Sequence, residues 1–379
     1  MPLELVTAGE SHGPALTAIV TGLPAGLRLD RDAIDADLRR RQQGYGRSPR
    51  QQLEADTVEV LSGLRHGLTL GTPVTLVVRN RDHANWTWGM DPWPPEGDPT
   101  GKGAKPVTLP RPGHADLAGV LKYGHDDVRN ALERASARHT AVHVAAGAVA
   151  KALLAELGIA VAGRPVEVGG ETTDESMRDA TDAARKDRDT LGGIVEVVAI
   201  GVPPGFGSYA EKRDRLDARL AFALMGIQAV KGVEVGDGFT TSTRRGSAAH
   251  DELHLSDGRI VRASDRAGGT EGGMSTGTVL RVRAGMKPIA TIPHALPTID
   301  VATGEAAPAH HQRSDVCAVP AAGVVAEAMV ALTLANAVLE KFGGDSVAET
   351  RRNLESYLAS IPDALRTEIA AADVAADRV

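Results

Sequence analysis

The sequence predicts a mixed fold of strands and helices, built as one large domain or as two closely packed, similar halves. The chain has 379 residues, of which 42% are hydrophobic, and this is enough to bury a large core. A strand-like segment, a glycine–proline turn and a helix-like segment follow one another around Gly22 and again around Gly201. The strand-like segments GTPVTLVVRN and GTVLRVRAGM are also similar. Repetition of this kind predicts two alike halves whose strands share one core.

The first half contains three candidate strands and one helix. The segments LELVTA and ALTAIVT predict strands, the second because of its β-branched residues. A helix is predicted from about Asp30 to Gln43. Asp30 can cap it, and the three arginines at 39–41 in its last turn complement the carbonyl end of the helix. The segment GTPVTLVVRN then predicts a further strand.

The middle and the C-terminal part combine a long loop with long helices. Residues 80–113 hold all three tryptophans and seven of the 21 prolines, which predicts a functional lid or a disordered segment. The run 125–158 predicts one kinked helix or two, with an Ala/Gly centre that can pack closely on a neighbour. Residues 318–339 are strongly apolar but include Glu327, which favours a buried helix over a membrane span.

The composition limits the classes of function. A net charge of −7 argues against nucleic acid or anionic lipid as a partner of the whole surface. The single cysteine, Cys317, and an N-terminus without a basic leader predict a cytoplasmic protein that does not contact a membrane. Five arginines nevertheless fall within residues 39–50 with no acidic residue among them. They indicate either a site for a small anionic ligand or a solvated helix end.

The segment GESHG, residues 9–13, matches the nucleophile elbow of serine hydrolases, in which Ser11 would attack the substrate. That motif requires a strand, a sharp turn and then a helix, whereas the following ALTAIVT favours a second strand. We therefore interpret GESHG as a glycine-flanked turn that lets a ligand approach His12 and the backbone amides closely.

Further segments carry chemically useful residues. RPGHADLAG places His114 two residues before Asp116, and ERASAR is expected to place Arg134 and Arg138 on one helical face beside Ser136. The others are the glycine-dense RAGGTEGGMSTG, MKPIAT with Lys287, and HQRSDVCAVPAAG with Arg313, Asp315 and Cys317. Their histidines lack the spacing of a metal site. Histidines, arginines and glycine-rich turns together suit a ligand with several negative charges and a proton transfer.

These segments, taken together, resemble one enzyme family. The set that carries the resemblance, in this order over about residues 3–355, is TAGESHGPAL, RRRQQGYGRSPR, RPGHADLAGVLKYG, ERASAR, GGMSTG, MKPIAT and HQRSDVCAVPAAGVVAEAMVALTLANAVLEKFGGDS. They are similar to chorismate synthases. The resemblance implies an α+β fold, a sandwich of antiparallel sheets with helices and an internal pseudo-twofold repeat. It also implies a single domain over 1–379, with a core at about 3–355 and a peripheral tail at about 356–379, and a homotetramer.

The resemblance further implies a reaction. Chorismate synthases are lyases that convert 5-enolpyruvylshikimate 3-phosphate to chorismate and phosphate by a 1,4-anti elimination, the last common step of aromatic amino acid biosynthesis. They require reduced FMN without net redox change. Because no reductase-like domain is visible in the sequence, we expect an external flavin reductase, with NADPH as a possible source of electrons.

Site residues are carried over by motif. His12 would protonate the departing phosphate, His114 would favour the anionic reduced flavin, and Asp315 would assist a proton relay, with Ser11 and Ser136 as hydrogen-bonding support. The positions matched to FMN contacts are Arg134, Ala135, Ser136, Gln228, Ala229, Gly272, Lys287, Pro288, Ile289, Ala290, Thr291 and Arg313. The positions matched to substrate or NADP binding are Arg41 and Arg47, with Arg50 and Arg138 as further contributors.

Two positions and the N-terminal segment depart from the family pattern, and two other functions stay open. The N-terminal PLEL lacks the usual Arg–aromatic pair. His139 stands where the family usually has glutamate, and Leu117 where tyrosine often follows HAD. A flavin- or NADP-dependent oxidoreductase could use the same loops for net hydride transfer and would consume reductant stoichiometrically. A non-enzymatic polyanion-binding protein could use the arginines at 39–50, and its binding would depend steeply on salt.

Overall fold

Antiparallel sheets and the helices between them form the architecture of the chain. The structure is a computed structural model that describes residues 2–47, 55–309, 315–367 and 369–370. The strands among these residues are β1 (Glu4–Ala8), β2 (Ala15–Thr21), β3 (Glu59–Ser62), β4 (Leu64–Arg65), β5 (Leu68–Thr69), β6 (Val74–Arg79), β7 (Ala160–Val168), β8 (Gly193–Ile200), β9 (Val230–Val235), β10 (Leu253–Ser256), β11 (Arg259–Arg262), β12 (Thr270–Glu271), β13 (Met274–Ser275), β14 (Leu280–Met286), β15 (Pro297–Ile299) and β16 (Ala306–Pro308).

Ten helices are present among the described residues. They are α1 (Arg31–Gln42), α2 (Asp116–Tyr123), α3 (Arg129–Ala135), α4 (Thr140–Ala155), α5 (Asp174–Lys186), α6 (Leu216–Met225), α7 (Gly238–Ser242), α8 (Gly246–Ala249), α9 (Val319–Phe342) and α10 (Val347–Ser360). Two of them, α4 and α9, lie between the two largest sheets. Asp30 caps α1 as expected, because its side chain accepts a hydrogen bond from the backbone N–H of Asp32 at 2.9 Å.

The two halves repeat one arrangement of elements. Four strands of the first half form an antiparallel sheet in the order β1-β2-β6-β3, and four of the second half form a sheet in the order β7-β8-β14-β9. In both sheets the second strand in this order, β2 or β8, precedes a helix, α1 or α6. The third strand, β6 or β14, leads through a long connection to a long helix, α4 or α9. The internal repeat and the α+β class predicted from the sequence are therefore present in the structure.

The glycines that first suggested the repeat occupy equivalent places. Gly22 follows β2 with φ of +80°, and a Cβ there would lie 2.3 Å from the carbonyl oxygen of Pro2, just before β1. Gly201 follows β8 with φ of +74°, and its Cβ would lie 2.0 Å from the carbonyl oxygen of Gly158, just before β7. Only glycine fits this left-handed turn against a neighbouring backbone, so both halves retain it for the same steric reason.

The core is a four-layer sandwich with the two long helices at its centre. α4 packs on β2 and β6, α9 packs on β7 and β8, and the two helices pack on each other. A Cβ on Gly147 of α4 would lie 2.3 Å from the Cβ of Ala328 on α9, so the helices touch at the Ala/Gly-rich stretch predicted to pack closely. α9 is long and apolar enough to cross a membrane, yet 83% of its most apolar window is buried. It is a core helix.

Two connections can be compared with their predictions. Residues 80–113 include a short 3-10 helix at Arg81–Asn85 and bury Trp86 and Val107, whereas residues 91–94 and 96–102 are exposed. A lid function for this segment stays a prediction. The segment ERASAR is not one helical face: α3 ends at Ala135, Ser136 has extended backbone angles, and a 3-10 helix follows before α4. Arg134 and Arg138 consequently point to different partners, and the prediction that they share a face was wrong because Ser136 breaks the helix between them.

Candidate active site

His12 lies in the tight turn between β1 and β2. Gly9 opens this turn with φ of +107°, and a Cβ there would lie 2.4 Å from the carbonyl oxygen of Ala15. Since β2 follows directly, the strand–turn–helix geometry of a nucleophile elbow is not formed around Ser11. The side-chain amide of Asn80 closes the turn from outside by donating to the carbonyl oxygens of Glu10 at 3.0 Å and Gly13 at 2.8 Å.

The His12 imidazole is buried between a carboxylate and an indole. Its Nδ1 lies 2.8 Å from Oε1 of Glu133, and its backbone N–H donates to Oε2 of the same side chain at 2.9 Å. The ring stacks on Trp86, with centroids 4.1 Å apart. His12 is 7% exposed and Glu133 2% exposed. The geometry therefore fixes the ring plane of His12 and gives its Nδ1 a permanent hydrogen-bond partner.

Two arginines predicted from the sequence share one buried carboxylate beside this turn. Asp56 accepts from Nη2 of Arg41 at 2.6 Å and from Nη1 of Arg138 at 2.7 Å. Nε of Arg138 donates to Oδ1 of Asn80 at 2.9 Å, which ties the pair to the His12 turn. Burial lowers the pKa of Arg41, although Asp56 opposes that effect. One carboxylate facing two guanidiniums leaves an excess of positive charge in a desolvated place, which suits an anionic ligand.

Arg47 and Asp315 form a second buried pair. Nη1 of Arg47 lies 2.6 Å from Oδ2 of Asp315, and each side chain is 10% exposed. Burial lowers the pKa of Arg47 as well. Arg47 acts electrostatically on Arg41, so the two arginine clusters are neighbours. Among the described residues, the Nε atoms of Arg41 and Arg47 are buried without a hydrogen-bond partner.

His114 belongs to a third cluster, formed by the loop before α2. Its Nδ1 is hydrogen-bonded to Asp116, which is 1% exposed and also accepts from Nε of Arg111 at 2.8 Å. Burial alone would raise the pKa of Asp116, but the hydrogen bonds from His114 and Arg111 hold it well below its ordinary value. Arg111 also donates to Oγ1 of Thr291 at 2.9 Å. Because the carboxylate stays ionised, it orients the His114 ring.

The segment 287–291 joins this cluster. Its role in cofactor binding stays a prediction. The ammonium of Lys287 donates to the carbonyl oxygen of Gly113, and its backbone N–H donates to the carbonyl oxygen of Ala229 at 3.0 Å. Ala229 has φ of +68°, so the Gln228–Ala229 turn directly faces the start of the segment. The remaining members, Pro288, Ile289 and Ala290, are exposed or half-buried.

Backbone contacts join the three clusters into one region. Leu191 donates its N–H to the carbonyl oxygen of Val316 at 2.9 Å, beside Asp315, and the hydroxyl of Thr190 donates to the carbonyl oxygen of Ile289 at 2.9 Å. α2, which follows His114, packs on α3, which carries Glu133. A continuous series of contacts therefore links candidate residues from both halves of the chain.

The other predicted residues are distributed as follows. Arg134 is exposed and donates to the carbonyl oxygens of Thr7 at 2.9 Å and Gly9 at 3.1 Å, and Ala135 ends α3 beside it. The hydroxyl of Ser136 accepts from the backbone N–H of Arg138 at 3.3 Å. Gly272 lies in the β12–β13 turn, whose neighbouring residues pack on Arg215 at the start of α6. Its role in cofactor binding stays a prediction. Arg50 and Arg313 lie outside the described residues.

His139, the departure from the family pattern, is a neutral side chain here. It is 6% exposed, and burial, with smaller contributions from His143 and Arg134, lowers its pKa to about 3. It meets His143 edge to face, with centroids 4.7 Å apart. The position where the family usually carries a negative charge thus carries none, and Arg134 has no counter-charge from it.

Several residues of the site were given no role from the sequence. Glu133 lies within ERASAR and Asp116 within RPGHADLAG, and their proximity to Arg134 and His114 was the available signal. Asp56, Asn80, Trp86 and Arg111 carry no local signature. They reach the site only because the fold brings distant segments together.

Comparisons with known proteins show the family to which the chain belongs. A family profile described as chorismate synthase matches residues 3–339. The chain belongs to the chorismate synthase family. The chorismate synthase of Leifsonia xyli subsp. xyli is 59% identical over 394 residues, which cover 97% of this chain and 98% of the relative. That of an Arthrobacter species is 57% identical over 393 residues, which cover 96% and 98%. A crystal structure of chorismate synthase has 38% sequence identity and a TM-score of 0.74, and the match covers 94% of this chain and 97% of the other.

Membership in the chorismate synthase family confirms the resemblance inferred from the motifs and the fold that it implied. It also identifies the chain as an enzyme that acts on a small molecule.

Proposed function

We propose that this enzyme converts 5-enolpyruvylshikimate 3-phosphate to chorismate by a 1,4-anti elimination of phosphate, and that it is a carbon–oxygen lyase that requires reduced FMN. The observation that carries the proposal is the arrangement of Arg41 and Arg138 on one buried carboxylate, Asp56, next to His12. The substrate has two carboxylates and a phosphate. Guanidiniums with little access to water bind such groups through bidentate, charge-assisted hydrogen bonds.

His12 is the residue that we assign to the departing phosphate. When the C–O bond breaks, its electron pair passes to the phosphate oxygen, and a proton from the His12 imidazole neutralises part of that charge. A positioned acid of this kind contributes about 10²–10⁴-fold to a rate. The hydroxyl of Ser11 lies on the same turn and would support the phosphate by hydrogen bonding. Ser136, at the bend between Arg134 and Arg138, would do the same from the other side.

We assign the residues matched to FMN to a flavin phosphate and a reduced isoalloxazine ring. Lys287 and the exposed Arg134 supply cations, and the Gln228–Ala229 turn, with φ of +68° at Ala229, exposes backbone groups beside Lys287. When bound, reduced FMN supplies electron density to the reacting carbons and takes up the proton that the substrate loses. We assign His114, fixed by Asp116, to the ring, where a proton on its imidazole favours the anionic flavin.

Asp315 is assigned to proton movement near the flavin, with Arg47 holding it. Their 2.6 Å ion pair orients the carboxylate, so that one oxygen is held by the arginine. We assign Arg41 and Arg47 to the substrate side, with Arg138 as a contributor. Arg50 and Arg313 keep their motif-based roles in substrate and FMN binding, respectively.

The proposal extends to partners and location. We infer a cytoplasmic homotetramer that receives reduced flavin from an external reductase, with NADPH as the possible electron source. An exposed apolar face of the first sheet supports the contact between copies. Val6 of β1 is 64% exposed and lies directly opposite Ile19 of β2, which is 37% exposed, and Leu61 is 63% exposed.

The test is anaerobic turnover of the purified protein with the enolpyruvyl substrate, with and without reduced FMN. We expect chorismate and phosphate in equal amounts, many turnovers per flavin, and no turnover without it. Consumption of one reductant per product would instead indicate the oxidoreductase alternative. His12→Ala should retain flavin binding and lose about 10²–10⁴-fold in kcat. Unchanged turnover of this variant would refute the role of His12.

A further inference from the structure

The contact between Glu133 and His12 has a chemical consequence for the acid role of His12. The carboxylate of Glu133 faces the ring and the backbone of His12 at the same time, through Nδ1 at 2.8 Å and the backbone N–H at 2.9 Å. Both residues are more than nine-tenths buried. A carboxylate oxygen accepts hydrogen bonds, so the nitrogen that faces it carries the proton.

We propose that Glu133 is the positioning residue that fixes the tautomer of His12 for proton donation. The inference rests on the proposed function. With Nδ1–H donating to Glu133, the protonated ring presents its second N–H, at Nε2, to the phosphate. Donation breaks the Nε2–H bond and forms an O–H bond on phosphate. It leaves the neutral Nδ1–H tautomer, the form that Glu133 already stabilises, so no second proton has to move. A buried carboxylate does the same for the histidine of serine protease triads.

The surroundings hold this arrangement in place. Arg129, on the same helix, places Nη1 3.7 Å from Oε1 of Glu133 and lies 5.0 Å from the centre of the Trp86 ring. From the loop side, a ring N–H of His83 donates to the carbonyl oxygen of His12 at 3.0 Å. Asp82 accepts from the indole N–H of Trp86 at 3.0 Å. The ring of His12 therefore cannot turn without breaking its hydrogen bond to Glu133 or its stacking contact with Trp86.

Glu133→Gln separates the tautomer-fixing role of Glu133 from a purely structural role, because the glutamine side chain has nearly the same shape as glutamate. Its oxygen can still accept from the backbone N–H of His12, which leaves the NH₂ group facing Nδ1. An NH₂ donor requires Nδ1 to be bare and places the ring proton on Nε2. This tautomer can hydrogen-bond to phosphate, so substrate binding persists, but it cannot release its only proton as an acid. Kinetics should show a fall in kcat of about 10²-fold or more, with KM changed less than about threefold.

Two measurements test the inference. In ¹⁵N NMR of protein labelled at histidine, with the His12 signals identified by their loss in His12→Ala, the wild type should show a protonated Nδ1. Glu133→Gln should move the proton to Nε2. Glu10→Gln, an exposed change in the same turn, should alter neither spectrum nor kcat. An unprotonated Nδ1 in the wild type, or an unchanged tautomer in Glu133→Gln, would overturn the inference.

The kinetic test asks whether Glu133 acts through His12. Adding Glu133→Gln to His12→Ala should cause little further loss of kcat, because residues that act as a unit are not additive. Losses that multiply would refute the proposal. The NMR result does not depend on activity. A wild type that fails to convert the enolpyruvyl substrate would therefore reject the proposed function, while the spectrum would still decide the positioning of His12.

Discussion

Glu327 should stabilise the fold by holding the central helices to the second sheet. This α9 side chain is 2% exposed. It accepts from the guanidinium of Arg40 at 2.9 and 2.8 Å, from the ammonium of Lys151 at 2.5 Å and from the backbone N–H of Gly163 at 2.9 Å. These contacts join α1, α4 and β7 to one carboxylate. The change to test is Glu327→Gln, which keeps the shape and removes the charge.

The size of the stability loss in Glu327→Gln depends on which charged groups lose their partner. Breaking a buried ion pair by neutralising one member costs about 3–5 kcal/mol. Arg40 is 42% and Lys151 27% exposed, so water can solvate part of both charges after the substitution. We therefore expect the lower end, a loss of about 3 kcal/mol in the free energy of unfolding at neutral pH. Glu59→Gln is the control, because it breaks an equally well-formed pair with Arg79 on the exposed surface and should change stability little.

The lowered pKa of Glu327 also predicts how the stability difference between the wild type and Glu327→Gln changes with pH. Burial would raise the pKa of Glu327, but the hydrogen bonds and charges of Arg40 and Lys151 outweigh burial and lower it. A carboxyl whose pKa is lower in the folded state adds its full stabilisation to the fold at pH values above its unfolded pKa of about 4.3. This stabilisation is lost as the pH falls through the folded-state pKa. Urea unfolding at fixed protein concentration, at pH 7.5 and at steps below pH 4.5, measures the difference. A loss under about 1 kcal/mol at pH 7.5, or a difference that grows on acidification, would refute the reasoning.

Two further outcomes can be measured directly. Asp56→Asn weakens the pairing of Arg41 and Arg138, so KM for the enolpyruvyl substrate should rise about tenfold, or about 1.4 kcal/mol; a change in kcat alone would contradict their binding role. Gly147→Ala places a Cβ 2.3 Å from that of Ala328 and should cost about 1–3 kcal/mol by overpacking. Gly246→Ala has nothing within 4 Å of the new Cβ and serves as the control in thermal unfolding, where an equal effect of both changes would refute the packing argument.

The sequence predicted those parts of the fold that local chemistry determines. The cap at Asp30, the strands β1, β2 and β6, and the buried helix around Glu327 follow from periodicity and end signals within a few residues. The repeat was visible because the turns at Gly22 and Gly201 obey the same steric requirement in both halves. The family motifs then supplied the α+β class, which no local pattern contains.

Local sequence patterns could not predict which distant residues of the chain contact each other. Arg41 could equally have been a helix-end residue facing water, as Arg39 is, and only the fold places Asp56 against it. The wrong prediction that Arg134 and Arg138 of ERASAR share one helical face has a similar cause. Spacing alone puts Arg134 and Arg138 four positions apart on a helix, but the bend at Ser136 sends one side chain to β1 and the other to Asp56. Helix continuity there depends on tertiary contacts that the sequence window does not include.

The site lies where the repeat is interrupted, and this explains how a near-symmetric core supports an asymmetric site. In the first half, the β1–β2 turn meets the connection from β6 to α4 through Asn80 and Glu133. In the second half, the β7–β8 connection meets the connection from β14 to α9 through Thr190 and Leu191. The two long connections then join each other, since Arg111 of one donates to Thr291 of the other. The sandwich thus fixes equivalent ends of both sheets, while the different connections supply histidine, arginine and lysine to the candidate site.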